Sequence, residues 1–320
     1  MKNYMAGLRS VKEVNDFENR YRAEIPNGKP LFENLLFSIA SVGKITRYKM
    51  LDFLEQGKAE GKFDVALDSG GYQVAKGKLS VADMMLMDRE IYSKYSNFDA
   101  YFLPDSPLFA NDDKVTADRK IAENIKMAVE LFETLPAKVR AKSVAIFHLQ
   151  NISQMEQQIE GFEKIVNESG YIAISSVGLG TKFDQKVRLV SELQSAYGHN
   201  IKIHSLGDGS TKRLLALDMV GIFSNDTTSA HITAAIGKVV MPLIGSVHLD
   251  NISLDSWDAI QMEANHSCEF CDDFISLKNS VKCRKLHNLI VYRDLPEQYA
   301  ALGKENLSSD FYYLKQQELF

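Results

Sequence analysis

The sequence predicts an α/β protein built as a (β/α)8, TIM-like barrel, and three observations carry that prediction. Short apolar runs recur along most of the 320 residues, with segments of helical spacing between them. The runs lack strict alternation, which suits strands buried on both faces, as in a parallel sheet. A polar residue stands at or just past the end of most runs. A closed parallel barrel gathers all such ends at one mouth, whereas an open doubly wound sheet brings together only those at its switch point.

The strands are expected at LLFSIA (35–40), DVALDS (64–69), AYFLPD (100–105), SVAIFHLQ (143–150), YIAISS (171–176), IKIHSL (201–206) and VGIFSN (220–225), with the eighth in KVVMPLIG (238–245). Helical spacing is clearest at 116–135 and 182–197. The polar strand ends are Asp68, Asp105, Gln150, Ser175, Ser176, His204 and Asp226. No Gly/Ser-rich or Pro-rich linker divides the chain, so residues 1–320 are read as one barrel domain. The stretch 245–290 breaks the strand–helix rhythm and is read as an inserted zinc-binding subdomain followed by a closing helical segment.

Composition narrows the function classes. Hydrophobic residues at 45%, charged residues at 25% and a net charge of −5 describe an ordinary globular chain and argue against a nonspecific nucleic-acid coat protein. Local basic groups remain: Lys44, Arg47 and Lys49; Lys138, Arg140 and Lys142; Lys212 and Arg213; Lys282, Arg284 and Lys285. No apolar run reaches the roughly 18 residues needed to cross a bilayer, and the first residues lack a signal-peptide core, so a cytoplasmic protein without membrane contact is expected. All 3 cysteines fall between 268 and 283, too clustered for a disulfide framework.

That cluster reads His266-x-Cys268-x-x-Cys271, with Cys283 and His287 beyond it. Closely spaced thiolates and imidazoles, with a further ligand returning from later in the chain, suit a tetrahedral structural Zn2+ site. The expected set is His266, Cys268, Cys271 and His287, with Cys283 as the alternative fourth ligand.

Elsewhere, Leu67-Asp68-Ser69-Gly70-Gly71-Tyr72-Gln73 puts a carboxylate at a strand end with backbone close by. Leu103-Pro104-Asp105-Ser106-Pro107 is a second Asp with prolines fixing its loop. Ser176-Val177-Gly178-Leu179-Gly180 and His204-Ser205-Leu206-Gly207-Asp208-Gly209 offer backbone N–H groups to a ligand, and neither is a Walker A or dinucleotide fingerprint. Ser224-Asn225-Asp226-Thr227-Thr228-Ser229 supplies another strand-end carboxylate.

Taken in order, these segments resemble the queuine/archaeosine tRNA-guanine transglycosylase family over residues 35 to 310. DSGGYQ is similar to its DSGG-aromatic-Gln motif, FLPDSP to its strand-end Asp segment, and HLQN to the segment with its base-contacting Gln. SSVGLG and HSLGDGS resemble its two glycine loops, and the HxCxxC…H cluster its CxCxxC…H zinc site. SNDTTS departs from the family's Phe-Asp-Cys nucleophile context, His266 stands where Cys is usual, and the zinc stretch is compressed. These departures look more like the DNA-directed, DpdA-type branch of bacteria and phages, which inserts 7-deazaguanines into DNA.

The resemblance implies an enzyme, a pentosyltransferase, that exchanges guanine in DNA for a base such as 7-cyano-7-deazaguanine (preQ0). The alternatives are tRNA as substrate, or a noncatalytic partner subunit. It implies Asp226 as nucleophile, with Asp218 the lesser choice, and Asp68 as general acid/base. Asp105 would read the N1/N2 edge of the base, Gln150 its O6, and the backbone at Gly178 the 7-substituent side. Tyr72 and Leu206 would sandwich the ring, with Ser69, Gly70 and Gly207 completing the base site. A homodimer through the zinc region, or an accessory protein, follows by the same analogy. A glycoside hydrolase using Asp68 and Asp226 on free sugars is the competing class.

Overall fold

The computed structural model describes residues 1–148, 154–175 and 183–302. Eight parallel strands close into a barrel in chain order: β1 (Lys2–Met5), β2 (Asn34–Ser38), β3 (Asp64–Asp68), β4 (Ala100–Phe102), β5 (Ser143–His148), β6 (Tyr171–Ser175), β7 (Lys202–Leu206) and β8 (Ser224–Thr227). The (β/α)8 expectation therefore holds, with two corrections to the strands that make it.

The barrel is closed by β1, not by KVVMPLIG. β1 pairs on one side with β8, in the register Tyr4 opposite Asp226, and on the other with β2 at Met5 and Leu35. Lys238–Met241 (β9) instead forms an antiparallel hairpin with Gly245–His248 (β10), outside the barrel. Once β1 fills the gap between β8 and β2, no barrel edge is left for β9 to join. The second correction concerns VGIFSN: residues 220–223 lead into the barrel, and β8 itself is the polar Ser224–Thr227.

Strand residues alternate between two apolar layers. Tyr4, Leu36, Ala66, Phe102, Val144, Ile146 and Ala173 fill the barrel interior, while Phe37, Val65, Leu67, Phe147 and Ile174 face the surrounding helices. Continuing that period upward turns Ser38, Asp68, His148, Ser175 and Asp226 inward at the C-terminal mouth.

The helices that cover the barrel and shape its mouth are α1 (Val11–Glu24), α2 (Lys44–Ala59), α3 (Gly71–Ala75), α4 (Val81–Lys94), α5 (Lys114–Thr134), α6 (Ala137–Arg140), α7 (Met155–Ser169), α8 (Phe183–Tyr197), α9 (Thr211–Met219) and α10 (Ser229–Ala235). Several start on side-chain caps: Ser10, Ser80, Asp113 and Ser210 accept from the backbone N–H three residues on. Beyond the β9–β10 hairpin come α11 (Leu254–Ala264), α12 (Glu269–Asp272), α13 (Phe274–Asn279) and the long α14 (Val281–Leu302). The last packs along α10 and β9 and reaches the barrel floor, where the Asn3 amide donates to the Tyr292 carbonyl at 2.7 Å. Among the described residues no helix is long and apolar enough to cross a membrane.

Candidate active site and metal centre

The DSGG turn fixes a carboxylate where β3 ends. Gly70 adopts a left-handed φ of 94°, and any Cβ there would collide with the Ala40 side chain. Gly71 carries no strain, but it begins α3 pressed against the backbone and carboxylate of Asp105. The two glycines thus bring Asp68 and Asp105, which are 37 positions apart in the sequence, to one side of the mouth. Ser69, next to Asp68 in the chain, is fully buried, with no hydrogen-bond partner for its hydroxyl among the described residues.

Electrostatics sets Asp68 apart. Burial, and next the Asp105 carboxylate, push its pKa up to about 7; Asp226 adds to the push, while hydrogen bonds from Ser38 and the Gly70 N–H pull back. Part of its surface still faces the mouth. A group protonated about half the time near neutral pH can both give and take a proton. Behind it, on α4, Asp88 is fully buried and neither carboxyl oxygen has a hydrogen-bond partner among the described residues. Burial and the charges of Asp68 and Asp105 hold the Asp88 pKa well above the usual carboxylate range, against the pull of Arg47.

Asp105 is itself held. Its Oδ2 lies 2.8 Å from Nε2 of His148, an inward residue at the end of β5 that is 1% exposed. Gln158 on α7 in turn accepts from the His148 N–H at 2.9 Å and donates to its carbonyl at 2.9 Å.

Asp226 sits on β8 and presents a carboxylate to the mouth, with 14% of its side chain exposed. Its Oδ1 accepts from the Gly207 N–H at 2.9 Å and lies 3.1 Å from His204 Nε2. The Gly207 turn has a left-handed φ of 72°, with no described residue beyond its chain neighbours within 4 Å of the position a Cβ would take. The next residue, Asp208, is anchored by the buried ammonium of Lys186 and by the Ser205 hydroxyl. Burial pulls the Lys186 pKa down and Asp208 restores part of it. Asp218, by contrast, lies on α9 and pairs with the amino group of Met1 at 3.1 Å, away from this group.

Three carboxylates of the expected site, Asp68, Asp105 and Asp226, are thus electrostatic neighbours. Ser69, Gly70 and Gly207 frame them. No protein-family model matches the chain, and no curated protein is significantly similar to it.

The remaining expected site residues divide. Tyr72 is 53% exposed on α3, and the contact its ring makes is with the Lys76 ammonium, 4.4 Å from the centroid. Leu206, half-buried at the end of β7, packs on the interior cluster. Gln150 and Gly178 lie outside the described residues. His148, Asp88 and Lys186 were not singled out by the sequence, because nothing local marks them. Each acquires its role from a partner far along the chain.

The second centre lies beyond β10. Side-chain atoms of His266, Cys268, Cys271 and His287 come within 4.8 Å of one another and can hold a metal ion. Asn265, in a left-handed conformation, ends α11 and turns the chain so that His266 and Cys268 face back. Cys271 follows one turn later on α12, and His287 comes from α14. Cys268 and Cys271 Sγ are 3.5 Å apart, and His287 Nδ1 is 3.5 and 3.3 Å from them. These are close to the ligand–ligand separations of a tetrahedron with bonds of about 2.0–2.3 Å. His287 Nε2 is 3.0 Å from the Val240 carbonyl, which leaves Nδ1 for the metal, and His266 Nε2 is buried without a hydrogen-bond partner among the described residues. The Trp257 indole donates to the Cys271 carbonyl at 3.0 Å and braces the turn. Cys283, buried nearby on α14, is not one of the four.

Proposed function

We propose that this protein is a nucleic-acid guanine transglycosylase that exchanges guanine in DNA for a 7-deazaguanine such as 7-cyano-7-deazaguanine, through a covalent Asp226–sugar intermediate. The observation that carries the proposal is the unequal setting of two carboxyls at one barrel mouth. Asp68 is poised to move a proton near pH 7, while Asp226 is held by donors on Oδ1. Base exchange needs that division of labour. A nucleophile must keep the strand attached while one base leaves, and an acid/base must protonate the departing guanine and deprotonate the incoming base.

The other mouth residues suit a guanine-type base. Asp105 offers an acceptor carboxylate for the N1/N2 donors, and the Ser69 hydroxyl, without a partner among the described residues, would add a further polar contact. Lys44, Lys76, Lys78, Lys114 and Lys212, on helices and turns that follow the strand ends, are exposed and would meet the phosphates of a bound strand. A base within a duplex would have to be flipped out to reach Asp68. We take the ion at the His266–Cys268–Cys271–His287 site to be zinc, which would tie α11, α12 and α14 together as a structural clamp.

The test is incorporation of labelled guanine or 7-cyano-7-deazaguanine into duplex DNA, single-stranded DNA and tRNA offered in parallel. Label in DNA supports the proposal, and label in tRNA alone moves the substrate to tRNA. Release of free sugar from a glycoside, without exchange, would replace the proposal with hydrolysis. Asp226→Ala is expected to abolish the denaturation-resistant strand adduct, and an adduct that survives it removes Asp226 as nucleophile.

A further inference from the structure

We infer that His204 is the positioning residue of Asp226: a hydrogen-bond relay through the barrel interior locks His204 as the Nε2–H tautomer, so that it holds Oδ1 and leaves Oδ2 to attack. The role in attack rests on the transglycosylase reading; the relay itself does not.

The relay runs across three strands. Tyr171 Oη on β6 is 2.7 Å from Ser224 Oγ on β8, Ser224 Oγ is 2.8 Å from His204 Nδ1 on β7, and His204 Nε2 is 3.1 Å from Asp226 Oδ1. His204, Ser224 and Tyr171 are buried. A carboxylate oxygen cannot donate, so Nε2 carries the hydrogen, and in the neutral ring we infer here Nδ1 is left as an acceptor. The Ser224 hydroxyl must then donate to Nδ1, and the Tyr171 phenol must donate to Ser224. Reversing the chain would require either a second proton on the His204 ring or a protonated Asp226. The imidazole is walled by Phe102, edge-on at 4.8 Å between centroids, and by Tyr4 at 6.1 Å, a setting that favours this single arrangement.

The consequence falls on Asp226. Oδ1 takes two donors, from His204 and the Gly207 N–H, while among the described residues no hydrogen bond falls on Oδ2. In the first step a lone pair of Oδ2 forms the bond to C1′ as the C1′–N9 bond breaks. The electron pair left on the base takes the Asp68 proton. In the second, the incoming base passes its proton to Asp68 and attacks C1′; the C1′–Oδ2 bond breaks and its pair returns to the carboxylate. The His204 proton stays on Nε2 throughout. Donors on Oδ1 stabilise the carboxylate that departs in this second step, so discharge of the adduct is the step most sensitive to them.

Two measurements test the inference. Nitrogen-15 NMR of histidine-labelled protein is expected to show one neutral Nε2–H tautomer for His204, and Ser224→Ala is expected to lose that uniqueness. An Nδ1–H tautomer or an imidazolium at neutral pH overturns the relay, with no substrate required. Single-turnover chase of the strand adduct then reads the role. His204→Phe is expected to slow discharge by about 10–100-fold with the KM for free base unchanged, and His204→Gln, which keeps a donor, to recover most of it. Discharge of His204→Phe at the wild-type rate overturns the positioning role. A wild type that shows the tautomer but forms no adduct on DNA or tRNA overturns the transglycosylase reading and leaves the relay standing.

Discussion

Gly71 lies so close to Asp105 that a methyl group on its α-carbon would overlap both the carbonyl oxygen and the carboxylate Oδ1 of that residue. The second glycine of DSGG therefore serves a neighbour in the loop after β4 and not its own backbone. Gly71→Ala should displace Asp105 at a cost of about 1–3 kcal/mol. The expected result is a lower unfolding midpoint together with weaker binding of free guanine. Unchanged guanine affinity would separate Asp105 from base recognition.

A pH-dependent stability follows from Asp68. Its folded pKa of about 7 lies above the value it has in the unfolded chain, so the native state holds the extra proton between them. The stabilisation is complete below about pH 4 and is lost as pH rises through about 7. Asp68→Asn should accordingly be more stable than wild type at pH 8, by roughly 2 kcal/mol after allowing for solvent at the mouth, and nearly equal to it at pH 4. Base exchange should disappear in the same variant. Equal denaturation midpoints at pH 8 would contradict the raised pKa.

Lys186 and Asp208 form a buried ion pair under the turn whose Gly207 N–H meets Asp226. Lys186→Met leaves a buried carboxylate without its cation and should cost about 3–5 kcal/mol. Lys186→Met combined with Asp208→Leu should regain much of that loss, a coupling that a double-mutant cycle in urea measures directly.

Metal removal should unfold the far end of the chain before the barrel. Protein prepared with a strong chelator is expected to show a separate low-temperature transition, and one equivalent of Zn2+ should abolish it. His266→Ala and Cys271→Ser should lower the bound metal, whereas Cys283→Ser should leave one equivalent in place. Loss of metal in Cys283→Ser would reassign the fourth ligand.

The barrel was legible in the sequence where strands are apolar and illegible where they are not. β3, β5 and β6 announce themselves as buried runs. β8 does not, because its inward residues Ser224 and Asp226 are polar members of a hydrogen-bond network. KNYM at the start has too few residues to show a period, while KVVM has the composition of a core strand and pairs elsewhere. Site residues on turns with local signatures, such as Asp68 with its two glycines, could be found by inspection. His148 could not, since its meaning lies in Asp105, 43 positions away. His204 was visible as a polar strand end, but its bond to Asp226 was not.

The closing of the barrel by residues 2–5 also sets a timetable for the chain as it is made. Of the eight barrel strands β1 is made first, yet one of its two neighbours, β8, begins at Ser224, and Asn3 finds its partner on α14 at Tyr292. Until then one side of β1 keeps unpaired amide and carbonyl groups, an open edge that invites pairing with other chains. The barrel strand made earliest is thus among the last to be completed, and translation past α14 is the point at which the nascent chain can bury it.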